Sequence, residues 1–145
     1  MIGYQVEPSE LFSSPCTITK REVDIEEKIG IGYFSDVYKG SWRGMVVAIK
    51  MLTPTTPREL FVHGVEIWET LSHPNVLELF GSSSTSGEPP WFFVTPYIKH
   101  GSLVKYLKTV GHHSQANLLK MIYEVALGMA YLHERGVLHG DLKVR

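Results

Sequence analysis

Apolar residues in the first part of the chain recur at the spacing of short strands separated by turns. Val23, Ile25 and Ile29 lead into a glycine pair, and the apolar run 45–49 follows a turn at 41–44. Short apolar runs bounded by glycine-rich turns are typical of hairpins. The pattern predicts a strand, a glycine turn, a second strand, another turn and a third strand.

A helix is predicted over residues 57–71. Thr56 stands where an N-cap belongs, Pro57 occupies the first helical position, and Glu59 lies three residues after the cap. These are the residue types of a capping box, with proline where its missing N–H costs no hydrogen bond.

The remaining chain changes from strands to helices. Short strands are predicted over 76–79 and 91–94, with a serine-rich surface loop from 81 to 90 between them. Helices are predicted over 103–107 and 115–135, and the second has a wide apolar stripe that we expect to be buried. The sequence therefore predicts an α+β fold: a sheet with one helix, joined to a helical part.

Composition narrows the class of protein. The chain has 145 residues, a net charge of −1 and one cysteine. A balanced charge argues against nonspecific nucleic-acid binding, and the chain contains no apolar run long enough to span a membrane. Residues 1–20 combine prolines and serines without a basic start, so we expect a tail rather than a signal peptide. A cytoplasmic protein without nucleic-acid or membrane partners is expected.

The first candidate for chemistry is the glycine pair Gly30 and Gly32, followed by Tyr33, Phe34 and Ser35. Such glycines often only make a tight turn, and the pair alone favours neither reading. In the functional alternative, backbone N–H groups approach phosphate oxygens. A dinucleotide-binding loop would be followed by a helix, whereas a strand is predicted here, which disfavours that class.

Two further motifs come later in the chain. Lys50 ends the third strand, twenty positions after Gly30, and one hairpin of that length could bring its ammonium back to the glycine turn. Lys50 could equally be a solvated strand end. His139, Asp141 and Lys143 follow the long helix at intervals of two, although an aspartate there could also be a turn residue.

Taken together and in this order, the three motifs resemble those of the protein kinase family. The resemblance covers about residues 20–145 and is closest to the tyrosine-kinase-like group. It implies a kinase N-lobe over 21–97, with a five-stranded antiparallel sheet and one helix, and the first helices of the C-lobe over 98–145. Lys143 favours the serine/threonine-type catalytic loop. The implied activity is phosphoryl transfer from ATP to protein serine or threonine.

The resemblance also implies the ATP-binding residues. Val37 and Ala48 match the aliphatic pair around adenine, Lys50 matches the lysine of the α- and β-phosphates, and Ser35 replaces the third glycine of the loop. Thr95 falls at the position that guards the back pocket. Pro96 would offer its C=O and Ile98 its N–H to adenine. The complete expected set is Ile29, Gly30, Ile31, Gly32, Tyr33, Phe34, Ser35, Val37, Ala48, Lys50, Thr95, Pro96 and Ile98.

On the catalytic side, Asp141 matches the base that accepts the proton of the substrate hydroxyl, and Lys143 would neutralise the γ-phosphate. Gly140 stands where many kinases have an arginine that reads a phosphorylated activation loop. The family pattern continues with an asparagine directly after Arg145 and then Asp-Phe-Gly, the magnesium ligands. We therefore expect Mg²⁺ only in a complete domain, and no metal site in these residues.

A further departure concerns the helix over 57–71. The family pairs the strand lysine with a helix glutamate, and counting back ten positions from Pro74 reaches Gly64. Glu66 lies about 200° round the helix from Gly64 and would point away. Gly64 therefore leaves open one alternative to an active kinase, an impaired, pseudokinase-like module that binds nucleotide or a partner. The wide apolar stripe on 115–135, which later segments would cover in a complete kinase, leaves open another, a truncated product without a function of its own.

Overall fold

The computed structural model describes residues 16–112 and 114–143, so most of the predicted tail and Arg145 lie outside the described residues. The chain divides into two compact units. The first ends at Glu69 and resumes from Leu79 to Pro96, and the second takes Thr70–Glu78 and the chain from Tyr97 on. The lobe boundary at 97–98 stays a prediction, although this division falls close to it.

The first unit is built on one mixed sheet. Its strands are β1 (Cys16–Thr17), β2 (Val23–Ile31), β3 (Ser35–Trp42), β4 (Met45–Leu52), β5 (Gly81–Ser82) and β6 (Phe92–Pro96). The spatial order is β1-β5-β6-β4-β3-β2. A 3₁₀ turn, Lys20–Glu22, joins the first two strands, and helix α1 runs over Arg58–Trp68. The predicted α+β class is confirmed.

The strand count corrects the prediction, because the sheet has six strands rather than five and is not wholly antiparallel. β1 adds at the edge, parallel to β5, from residues that the sequence placed in the tail. Gly81 permits this approach, because a Cβ there would collide with the carbonyl oxygen of Cys16. Ile18 completes the attachment by burying its side chain in the core. No strand forms over 76–79; pairing with β6 begins at Gly81 instead.

The two faces of the sheet carry separate clusters. Strand β4 contributes Val47 and Ile49 to one cluster, because alternate residues of a strand point to opposite faces. The other cluster lies beneath α1 and joins Phe61 to Leu79, Leu52, Trp91 and Phe93. The sheet is therefore covered by α1 on the face that also bears Lys50.

The predicted N-cap of α1 is wrong. The cap position is Pro57, and no side chain accepts a hydrogen bond from the first turn. The Thr56 hydroxyl instead lies 3.0 Å from the Thr53 hydroxyl, in the turn before the helix. Glu59 is consequently not a capping-box partner and lies exposed in the first turn.

The second unit contains α2 (Leu103–Val110) and α3 (Gln115–Glu134). Each helix has a serine N-cap: Ser102 accepts from the N–H of Lys105, and Ser114 accepts from that of Asn117. The expected burial of α3 is wrong for the described residues, since only Gly128 and Leu132 are buried. No helix among residues 16–112 and 114–143 is long and apolar enough to cross a membrane.

Candidate functional site

The glycine motif forms the tip of the β2–β3 hairpin. Gly30 pairs with Val37 across the ladder, and the N–H of Gly32 donates to the carbonyl of Ser35 at 2.6 Å. A Cβ on Gly32 would lie 3.0 Å from that carbonyl oxygen, so the turn favours glycine there. The side chains of Tyr33 and Phe34 are 91% and 68% exposed at the tip. The two aromatic residues at the tip are thus exposed to solvent.

Four of the residues predicted to bind ATP lie on one face of the sheet. Val37 pairs with Lys50, and Ala48 pairs with Thr95. Residues paired across an antiparallel ladder share a face, and so do residues two apart on one strand. Val37, Ala48, Lys50 and Thr95 therefore share one face of the sheet. Lys50 is exposed and forms no ion pair with any residue of the described chain.

The predicted hinge residues follow β6. Thr95 is buried, and its hydroxyl donates to the carbonyl of Pro96 at 3.4 Å. Pro96 ends β6 opposite Val47. Ile98 belongs to the second unit, where its carbonyl accepts from the N–H of Gly101 at 3.0 Å and its side chain is 55% exposed.

Gly64 occupies the inner side of α1. A Cβ built there would lie 3.4 Å from the Cζ atom of Phe93, and Phe93 is the cross-strand partner of Lys50. Glu66, in contrast, is exposed. Position 64 thus faces the part of the sheet that carries Lys50, and it provides no carboxylate.

The second unit holds the predicted catalytic residues in an extended loop after α3. Lys143 Nζ lies 2.8 Å from Asp141 Oδ2, and the N–H of Asp141 donates to Nδ1 of His139 at 3.2 Å. Gly140 has φ 74°, a left-handed conformation that glycine adopts without the strain a Cβ would cause. The loop therefore keeps the lysine charge beside the carboxylate.

One ion pair at the glycine hairpin was not singled out from the sequence. Lys28 Nζ lies 2.8 Å from Asp36 Oδ2 and 5.5 Å from the centre of the Tyr38 ring. The hydrogen bond that the Lys28 ammonium donates to the Asp36 carboxylate raises the pKa of Lys28 above its ordinary value. The sequence did contain a signal for this ion pair, because Lys28 and Asp36 carry opposite charges and lie eight positions apart on two predicted strands of one hairpin.

Comparison with known proteins supports the interpretation of the three motifs. The family profile described as "Protein tyrosine and serine/threonine kinase" matches residues 23–145. The chain belongs to the protein kinase family. This confirms the resemblance drawn from the glycine loop, the strand lysine and the catalytic loop.

Among individual kinases, the chain is 37% identical over 131 residues to "Tyrosine protein-kinase src-1" of Caenorhabditis elegans, covering 88% of this chain and 24% of that protein. It is 35% identical over 134 residues to "Dual specificity testis-specific protein kinase 2" of Homo sapiens, covering 91% and 23%. "Serine/threonine-protein kinase VIK" of Arabidopsis thaliana is 30% identical over 149 residues, covering 98% and 31%. The chain thus spans less than a third of the length of these relatives.

A protein kinase uses ATP and Mg²⁺, and the described residues can be compared with what each of them requires. The backbone of the hairpin tip and the exposed Lys50 ammonium are suited to phosphate oxygens, and half-buried Val37 and Ala48 offer an apolar surface beside them. No cluster of three His, Cys, Asp or Glu side chains suitable for a metal ion occurs in the described part of the chain. The hairpin tip, Lys50, Val37 and Ala48 are therefore the residues with the chemistry to bind ATP.

Proposed function

We propose that this chain provides the ATP-binding unit and the start of the catalytic loop of a kinase that phosphorylates protein serine or threonine. The observation that carries the proposal is the position of Lys50. It lies opposite Val37 in the ladder, on the face that bears Ala48 and Thr95, with its ammonium exposed. A lysine in such a position can bind phosphate while apolar neighbours hold a flat base.

On the nucleotide side, the hairpin from Ile29 to Val37 would cover the phosphates. The N–H of Gly32 is already donated to Ser35, so phosphate contacts would come from the backbone of the tip residues, Tyr33 and Phe34. Lys50 would pair with the phosphates by charge. Adenine would contact Val37 and Ala48, and its polar edge would be directed to the carbonyl of Pro96 at the end of β6.

On the acceptor side, Asp141 would accept the proton of the substrate hydroxyl and orient its oxygen. Lys143, 2.8 Å from that carboxylate, would offset negative charge on the phosphoryl group. Bound Mg²⁺ would supply neutralisation of phosphate charge. The lysine at 143 supports serine or threonine as acceptor. The single cysteine, which cannot form an internal disulfide, supports a cytoplasmic location.

ATP binding to the whole chain tests the proposal. Isothermal titration should detect saturable binding of ATP, and thermal denaturation should show stabilisation of about 2.7 kcal/mol when ATP is present at 100 times its Kd. Lys50→Met should weaken the affinity at least tenfold, since it removes the phosphate-binding charge. Lys108→Met, which removes an exposed lysine of α2, should leave it unchanged. Absence of binding at millimolar ATP would overturn the proposal.

Gly64 favours a second candidate, a pseudokinase-like module that binds nucleotide but transfers phosphate poorly. Without a helix carboxylate, Lys50 lacks an orienting partner, and phosphoryl transfer depends on positioning. A kinase assay on the full-length protein distinguishes the two. Phosphoserine or phosphothreonine that disappears in Asp141→Asn would support the kinase. Retained ATP binding with no Asp141-dependent phosphate transfer would support the module.

A further inference from the structure

The β2–β3 hairpin has a side-chain bridge just behind its glycine tip. The ammonium of Lys28 on β2 donates to the carboxylate of Asp36 on β3 at 2.8 Å and lies over the ring of Tyr38. Both charged side chains are partly exposed, 42% for Lys28 and 37% for Asp36. Lys28 thus touches two residues of the opposite strand at once.

This bridge coincides with an interruption of the backbone ladder. The register of β2 against β3 shifts between Ile25 and Lys28 and again between Lys28 and Gly30. Irregular pairing of this kind increases local twist and leaves a strand less firmly held. The Lys28–Asp36 bridge joins the two strands where the ladder holds them least, directly before the glycines.

The bridge lies on the opposite face of the sheet from the proposed nucleotide residues. Tyr38 pairs with Ile49 and packs against the cluster that contains it, whereas Val37 pairs with Lys50. Asp36 is two residues from Tyr38 and shares its face. A nucleotide beside Val37 and Lys50 would therefore not touch the Lys28 ammonium.

We propose that Lys28 is a positioning residue for nucleotide binding, which fixes the glycine tip through Asp36 and Tyr38 without contacting ATP. The inference rests on the proposed function. The tip can present its N–H groups to phosphate only if the two strands keep one relative twist, and the bridge reduces the freedom of the hairpin behind the tip. The free energy of ATP binding would then not be reduced by the cost of ordering the glycine tip.

The test compares ATP with adenosine on the whole chain, because adenosine lacks the phosphates that the tip would hold. Lys28→Gln should weaken ATP binding about three- to fivefold, as expected for loss of a partly exposed ion pair, and leave adenosine binding unchanged. Lys28→Arg should retain the affinity for ATP. A general loss of folding would weaken both ligands.

Asp36→Asn separates positioning from a simple charge effect. If the pair acted only through its charges, removal of the Asp36 carboxylate would tighten ATP binding; a positioning role predicts weakening of about three- to fivefold, as for Lys28→Gln. Asp24→Asn is the matched control, since Asp24 lies on β2 opposite Ser41, near the far end of the hairpin. Asp24→Asn should leave the affinity for ATP unchanged.

Several outcomes would overturn the inference. Unchanged ATP affinity in Lys28→Gln, tighter binding in Asp36→Asn, or parallel losses for ATP and adenosine would each do so while the proposed function stands. If the unmodified chain binds no ATP, the proposed function fails and this inference fails with it.

Discussion

A Cβ built on Gly64 would lie 3.4 Å from Cζ of Phe93, the residue that pairs with Lys50 across the sheet. The contacts around this point are aromatic. Phe93 lies 5.2 Å from Phe61 and 5.3 Å from Trp68, measured between ring centres. In this structure α1 is therefore held on the sheet by ring packing, while position 64, which faces Phe93, has no side chain.

A carboxylate introduced at this position should orient Lys50. Gly64→Glu places a side chain at ordinary contact distance from Phe93, and we expect ATP binding to tighten about fivefold, or about 1 kcal/mol. Gly64→Gln, which has the same size without the charge, should not tighten it. Titration calorimetry of both variants measures the difference, and equal affinities would show that the missing carboxylate does not limit binding.

The segment before β2 should contribute to the stability of the first unit. Ile18 is 1% exposed within the core cluster, and Ile18→Ala should reduce the free energy of unfolding by about 2–5 kcal/mol. Ile31, at 82% exposure, provides a matched control. Ile31→Ala should change the free energy of unfolding by no more than about 0.5 kcal/mol. Denaturant unfolding would measure both, and a neutral Ile18→Ala would show that this segment does not hold to the sheet.

Helix α3 should depend on few of its apolar residues. Leu132 is 7% exposed and Leu119 is 60% exposed. Leu132→Ala should cost about 2–5 kcal/mol in unfolding free energy, whereas Leu119→Ala should cost no more than about 0.5 kcal/mol. Comparable losses in thermal or denaturant unfolding would mean that the outer side of the helix is covered in solution.

The turn before β2 should respond to acid. The backbone N–H of Thr19 donates to Oε2 of Glu22 at 2.6 Å and, as the largest cause, lowers the pKa of Glu22 below 4.5. A lowered folded-state pKa means that the stabilisation is complete above 4.5 and is lost as the pH falls through the folded value. NMR titration of the Glu22 carboxyl would measure the shift. In unfolding experiments, wild type and Glu22→Gln should differ at neutral pH and converge in acid; a constant difference would contradict the prediction.

Local pattern was sufficient for the elements that carry the chemistry. Glycine turns and alternating apolar residues predicted β2, β3 and β4 because the period of a strand is visible in any half-buried segment. The order of the motifs then identified the family. The spacing of Gly30 and Lys50 agrees with their places on β2 and β4, where both pair with Val37 of the strand between them. Ser102 and Ser114 are caps of the ordinary type, and they mark where α2 and α3 begin.

Other features had no local signal. β1 and β5 are two residues long each, too short for any period, and they exist because Ile18 finds a place in the core and Gly81 lets another backbone approach. The exposure of α3 was likewise hidden, since an apolar stripe shows what a helix could bury but not what packs on it.

The sequence by itself determined the family, the glycine hairpin, the strand lysine and the lack of a glutamate at position 64, because each depends on residue identity and spacing along one chain. Tertiary structure decided which face of the sheet each residue occupies. It placed Gly64 against Phe93 and set the Lys28–Asp36 bridge behind the glycine tip. These relationships arise from cross-strand register and from helix packing on the sheet, which are set by the burial of residues distant in the chain.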